Sequence, residues 1–152
     1  MKFLDFTIAE NKIKDIISNK QFPDVLQDVV DYLYKHCDDY NWVGIYIVEG
    51  EYLILGPWSG KHATEHTKIP IGRGVCGSAA QSGKTEVIPD VSADKRYLSC
   101  FVSTRSEIVV PIKKDGIVVG EIDIDSDVSK AFYESDVKFL EKVADMLSQH
   151  IC

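Results

Sequence analysis

Ser106-Glu107-Ile108-Val109-Val110-Pro111-Ile112-Lys113-Lys114-Asp115-Gly116-Ile117-Val118-Val119-Gly120-Glu121-Ile122-Asp123-Ile124-Asp125 is the stretch on which the reading of this chain turns. Two apolar-rich runs, 106–112 and 117–125, flank Lys114-Asp115-Gly116, an arrangement that predicts a β-hairpin. Val118, Gly120, Ile122 and Ile124 alternate with Val119, Glu121, Asp123 and Asp125, so one face of the second strand is apolar and the other acidic. Parity then argues the register. A three-residue loop with Gly116 left-handed sets Lys113 opposite Ile117, and Ile108, Val110 and Ile112 opposite Ile122, Gly120 and Val118. Glu107 falls opposite Asp123. A two-residue loop would instead turn Ile108 onto Asp123, and is set aside. Like charges directly opposite cost about 0.2–1 kcal/mol. Two readings of the acid face stay open. It is a solvated surface that tolerates this cost, or a carboxylate cluster that binds an ammonium group and holds a shared proton.

Outward from the hairpin, residues 7–19 carry Ile8, Ile13, Ile16 and Ile17 at helical spacing. Pro23 opens a stronger helix striped by Val25, Leu26, Val29, Val30, Leu33 and Tyr34. Residues 42–48 read as a strand, Glu49-Gly50 as a turn and 52–55 as its partner, before a polar stretch over 57–68. Gly72-Arg73-Gly74 leads into a short helix that Gly83 can cap, and 86–88 is a short strand. A long aperiodic loop over 90–104 precedes the central hairpin. A last helix begins near Ser135, with Val137, Leu140, Val143, Ala144, Leu147 and Ile151 on one stripe. Hairpins in place of β-α-β alternation predict an α+β domain, an antiparallel sheet with helices packed on one face. One domain accounts for residues 1–152, with N-terminal helices over 1–38 and the sheet, loops and last helix over 42–152.

Composition narrows the function. A net charge of −7 repels phosphate backbones and anionic membranes, so neither nucleic acid nor a lipid surface is an expected partner. The apolar run at 108–112 is far too short to span a bilayer, and Met1-Lys2-Phe3-Leu4-Asp5 meets an acid before any signal core forms. A cytoplasmic location is expected, where Cys37, Cys76, Cys100 and Cys152 stay as thiols. None forms a C-x-x-C pair, which argues against a zinc knuckle.

Cys37 reads as a packed thiol at a helix end. Cys76, in the first turn of the short helix, has either a thiol activated by the helix N-terminus or a buried structural role beside a glycine turn. Cys100 lies between Leu98 and Phe101, with Lys95, Arg96 and Arg105 nearby in sequence; it is a nucleophile candidate or a loop hydrophobe. Two motif matches are set aside. Gly72-Arg73-Gly74-Val75-Cys76-Gly77 fits G-x-G-x-x-G but lacks a preceding long strand and a parallel β-α-β unit. His62-Ala63-Thr64-Glu65-His66 fits H-x-x-E-H but lies between Gly60 and Pro70, not on a helix.

Asn41-Trp42-Val43-Gly44-Ile45-Tyr46, Ile69-Pro70-Ile71-Gly72-Arg73-Gly74-Val75-Cys76-Gly77, Ser106-Glu107-Ile108-Val109-Val110-Pro111 and Glu121-Ile122-Asp123-Ile124-Asp125-Ser126 together resemble the free methionine-(R)-sulfoxide reductases, stand-alone GAF-domain enzymes. The resemblance implies a GAF fold. It also implies Cys100 as nucleophile, Cys76 as resolving cysteine, and Glu107, Asp123 and Asp125 as the carboxylates that hold free methionine (R)-sulfoxide. Trp42 and Tyr46 match the aromatic wall. By the same resemblance a thioredoxin-like dithiol is the reductant; the reaction so read takes Glu107 as the proton donor and needs no metal or organic cofactor. A second copy of the chain is a further candidate partner. The sequence departs from the family pattern twice: His66 stands near the place of another resolving cysteine, and Phe101 follows the nucleophile where an Asp is usual. These departures keep a rival reading in play, a non-catalytic GAF module that senses a small ligand or redox state.

Overall fold

The computed structural model describes residues 5–19, 24–97 and 101–151. Its elements are α1 (Phe6–Asn19), α2 (Asp24–His36), β1 (Trp42–Glu49), β2 (Tyr52–Gly60), β3 (Lys68–Pro70), α3 (Gly74–Ser82), β4 (Glu86–Ile88), β5 (Ser106–Lys114), β6 (Ile117–Ser126) and α4 (Glu134–Leu147). Six strands form one sheet in the order β3-β2-β1-β6-β5-β4, every neighbouring pair antiparallel. The short strands β3 and β4 close its two edges, which limits the unpaired backbone on offer. The α+β class read from the sequence is the class found.

Parity sorts the side chains between two cores. Val43, Ile45, Ile108, Val110, Ile112, Ile122 and Ile124 point to the side covered by α1, α2 and α4. There α2 inserts Val25, Leu26, Val29, Val30 and Leu33, the stripe expected of it. Asp24 in its first turn and Lys35 and His36 in its last complement the helix dipole. Pro23 lies outside the described residues. On α1 the buried residues are Ala9 and Ile13, while Ile8 is exposed. On α4 the Asp136 carboxylate accepts from Tyr133 N at 2.8 Å and from the Tyr40 hydroxyl at 2.6 Å, tying the helix start to the segment before β1. Cys37 is buried in this core, as a packed thiol should be.

The opposite face of the sheet carries the second core, where α3 packs Val75, Cys76, Ala79 and Ala80 against Trp42, Tyr46 and Val109. Two features here differ from the sequence reading. First, β2 continues to Gly60 through a bulge opposite Ile45, and β3 adds a strand within a stretch read as polar loop and turn. Second, the central hairpin has another register. Lys114 pairs with Ile117 around a two-residue Asp115-Gly116 turn, both residues at positive φ (54° and 80°). Val119 then bulges, so Lys113 pairs with Val118 but Ile112 pairs with Gly120. From there Val110 faces Ile122, Ile108 faces Ile124, and Glu107 faces Asp125, not Asp123. The bulge also exchanges two valines between faces: Val118 packs in the core beside α3 and Val119 in the other.

Candidate active site

The paired strands lay the candidate residues out as a grid. In one row Trp42 of β1, Asp125 of β6, Glu107 of β5 and Ile88 of β4 stand side by side. In the next, Gly44 pairs with Asp123 and Asp123 with Val109; in the third, Tyr46 pairs with Glu121 and Glu121 with Pro111. All these positions face α3. The acids Glu107, Glu121, Asp123 and Asp125 are therefore buried, each no more than 3% exposed. The solvated-surface reading of this face is overturned, because α3 and the loops beside it remove water from the acids.

Trp42 lies flat across the sheet because its neighbours have no side chains. A Cβ on Gly44 would sit 2.2 Å from Trp42 Cη2, and one on Gly60 would sit 2.5 Å from Trp42 Cδ1. The indole stacks on Trp58 at 6.2 Å and meets Phe101 at 6.0 Å between ring centroids. Phe101 thus extends the aromatic wall where the family pattern has an acid. Tyr46 is anchored by its hydroxyl, which donates to the His66 carbonyl at 2.6 Å. Outside Trp42 and Asp125 opens a cavity of about 260 Å³, also bordered by Lys61, His62, Phe101 and Thr104.

Cys76 is buried over the acids, its thiol directed at Glu107 Oε2 across 4.0 Å. Of the two readings of Cys76, the buried thiol beside a glycine turn is the one found, and activation by the α3 N-terminus is not. Burial pushes this thiol well above its usual range, and the charges of Asp123, Glu121, Glu107 and Asp125 push the same way. A helix terminus contributes about half a charge, too little against desolvation and four carboxyls. The acids are raised as well. Burial leads for Glu121, followed by the Asp123 charge. Burial also raises Asp123 and Asp125, with the nearby Glu107 carboxyl offsetting part of each rise. Among the described residues, Glu121 has only the Cys76 thiol and Asp125 only the Glu107 carboxyl as hydrogen-bond neighbours, and Asp123 Oδ1 and Trp42 Nε1 have no partner. Such a site holds protons tightly and is short of cationic donors.

Cys100 lies outside the described residues. Of the cations near it in sequence, Arg96 is committed to Asp94 at 2.8 Å and Glu86 at 3.1 Å. The His62–His66 segment is not helical, so the protease motif fails as expected. The Gly72 amide donates to Gly77 O at 2.8 Å, closing a turn before α3 on an antiparallel sheet and not on a dinucleotide fold. Glu121 belongs to the cluster although the sequence reading assigned it no role; its signal was its place in the same alternation as Asp123 and Asp125. The ligand atoms of Cys76, Glu107 and Asp123 lie within 4.8 Å of one another, close enough to share a metal ion.

A sheet in this strand order, backed by three helices and capped on its other face by a short helix over a binding cavity, defines a GAF domain, and the GAF domain family matches residues 21–151. The free methionine-R-sulfoxide reductase of Escherichia coli is 37% identical over 117 residues, covering 77% of this chain and 70% of the relative. Among solved structures, the reduced form of fRMsr of Staphylococcus aureus superposes with a TM-score of 0.91 at 32% identity, covering 100% of this chain and 99% of that one. The free methionine-R-sulfoxide reductase from Neisseria meningitidis, solved with its substrate, gives 0.89 at 33% identity over 95% of this chain and 87% of that one. The chain belongs to the free methionine-R-sulfoxide reductase family of GAF-domain proteins.

Proposed function

We propose that this protein reduces free L-methionine (R)-sulfoxide to methionine in a thiol-dependent cycle. The observation that carries the reading is the cluster of buried acids, Glu107 and Asp125 in one row and Asp123 in the next, flanked by Trp42 and Tyr46 and overlain by Cys76. The substrate's ammonium bonds Asp123 and Asp125, giving charged donors to carboxyls whose hydrogen-bond neighbours are otherwise the Glu107 carboxyl and the Cys76 thiol. Its methyl-sulfur end packs on Trp42 and Tyr46. The Cys100 thiolate attacks sulfur while Glu107 protonates the sulfoxide oxygen. The protonated oxygen passes from the substrate sulfur to the Cys100 sulfur, the bond between the two sulfurs breaks as methionine leaves with its electron pair, and Cys100 remains as a sulfenic acid.

Glu107, now a carboxylate 4.0 Å from Cys76 Sγ, takes the thiol proton that burial otherwise holds in place. The Cys76 thiolate attacks the Cys100 sulfur, hydroxide departs with that proton as water, and a disulfide remains. A thioredoxin-like dithiol returns both cysteines to thiols, at the expense of its own oxidation to a disulfide. The cycle suits a reducing cytoplasm and draws on no cofactor.

The test compares free (R), free (S) and N-acetyl (R) substrates under one thioredoxin system. Free (R) should turn over repeatedly. The N-acetyl compound should fall about tenfold to a hundredfold, because an amide leaves buried carboxylates without their charge partner at about 1–3 kcal/mol. The (S)-epimer exchanges oxygen and lone pair, misplacing both acid and thiolate, and should fail. Comparable rates on the acetylated compound reject ammonium capture. A single stoichiometric loss of thiols without continued methionine production rejects the enzyme in favour of a redox sensor.

A further inference from the structure

Beneath α3 lies a small void of about 10 Å³ bordered by Tyr46, His66, Ile69, Val75, Cys76, Glu107 and Asp123. It has room for one water-sized particle and not for an amino acid. Three of its seven walls, Cys76, Glu107 and Asp123, bring metal-ligating atoms together. Cys76 Sγ is 4.0 Å from Glu107 Oε2, and these two with an Asp123 oxygen all lie within 4.8 Å of one another. Around a tetrahedral zinc, with Zn–S of about 2.3 Å and Zn–O of about 2.1 Å, such atoms stand roughly 3.5 Å apart. The Cys76–Glu107 spacing is therefore about 0.5 Å, and the widest spacing at most about 1.3 Å, from closure around one ion. A separate observation points to a missing cation: Asp123 is 1% exposed, and its Oδ1 has no hydrogen-bond partner among the described residues.

We propose that Cys76, Glu107 and Asp123 form a binding site for a single divalent cation of borderline softness, Zn²⁺ above all. One thiolate and two carboxylates suit zinc. Calcium needs six to eight oxygens and magnesium keeps several waters, and this void has space for neither. On binding, the thiol and shared carboxyl protons leave to solvent and no group changes oxidation state. Cys76 is then a metal-bound thiolate, withdrawn from disulfide formation. That consequence rests on the reductase reading; the site itself does not.

The experiment uses the full reduced chain, stripped by chelator and titrated with Zn²⁺ alone, then with Co²⁺, without substrate or reductant. Calorimetry should give one equivalent with proton release, and Co²⁺ should show a thiolate-to-metal charge-transfer band. Cys76→Ser should lose the band and weaken Zn²⁺ at least tenfold, as should Asp123→Asn, whereas Cys100→Ser should keep both. Should Cys76→Ser fail to fold, alkylation of Cys76 in the unmodified protein, followed by mass spectrometry, should slow at least tenfold with Zn²⁺. Retained affinity and band in Cys76→Ser, their loss in Cys100→Ser, or unchanged Cys76 alkylation would overturn the proposal. None of these outcomes touches the turnover test, so the two readings fail separately.

Discussion

Glu107 is the residue on which chemistry and binding separate. It stands in the row between Asp125 and Ile88 and within 4.0 Å of Cys76, so it can give a proton to one partner and accept one from another. Glu107→Gln keeps the shape but not the proton. It should lower kcat about a hundredfold or more, the usual range for a positioned general acid, with a smaller change in KM. Asp123→Asn removes a charge partner of the ammonium and should raise KM about tenfold or more with less effect on kcat. Steady-state kinetics on free (R)-sulfoxide decides, and equal small effects at both positions would mean neither acid meets substrate. That Glu121, Asp123 and Asp125 share one face was legible in the sequence, because period-2 alternation is a local signal. The state of Cys76 was not. Its thiol is governed by burial and by carboxyls from two other strands, which spacing along the chain cannot report.

The central hairpin shows how an element can be assigned to the right faces through the wrong partners. Asp115-Gly116 is the two-residue turn its composition suggests, but taken with an unbroken ladder it places apolar residues on acids. The bulge at Val119 restores parity, and no single residue announces it. The faces therefore came out as expected from Gly120 to Asp125, while Glu107 moved from Asp123 to Asp125. Strand β3 was hidden for a related reason: its three residues, Lys68–Pro70, carry too little alternation to stand out from a loop. Gly44 is the functional position that the sequence reading passed over, since its role is the space it leaves for a ring two residues away. Gly44→Ala puts a methyl 2.2 Å from Trp42 Cη2, so the indole must leave the sheet or the strands must part. Overpacking of this kind costs about 1–3 kcal/mol. Denaturant unfolding should show that loss, and tryptophan emission should shift as Trp42 changes surroundings. Unchanged stability and emission would mean the indole does not depend on this gap.

At the scale of the whole molecule the buried acids set how stability answers to pH. Glu121, Asp123 and Asp125 all have carboxyls raised above their ordinary values in the folded protein, so above about pH 4 the native state binds more protons than the unfolded chain. Their contribution is fully present below the unfolded values and is lost as pH rises through the folded ones. Glu10, Asp90 and Asp94 have lowered carboxyls and act in the opposite sense, but their window lies at and below the ordinary carboxylate range. Between about pH 5 and 8 the cluster therefore governs the carboxyl contribution, and the thermal midpoint of the ligand-free protein should fall across that interval. Glu121→Gln, which removes one buried ionisable group while keeping its shape, should flatten the fall. A bound ammonium reverses part of the effect by stabilising the ionised carboxylates, so free methionine sulfoxide should raise the midpoint more at pH 8 than at pH 5. Binding at neutral pH should also release protons, which calorimetry in buffers of different ionisation enthalpy measures directly. A midpoint that rises from pH 5 to 8 without ligand, and a ligand shift that does not grow with pH, would mean the acids are already ionised in the folded chain. The source of the proton assigned to Glu107 would then have to lie elsewhere.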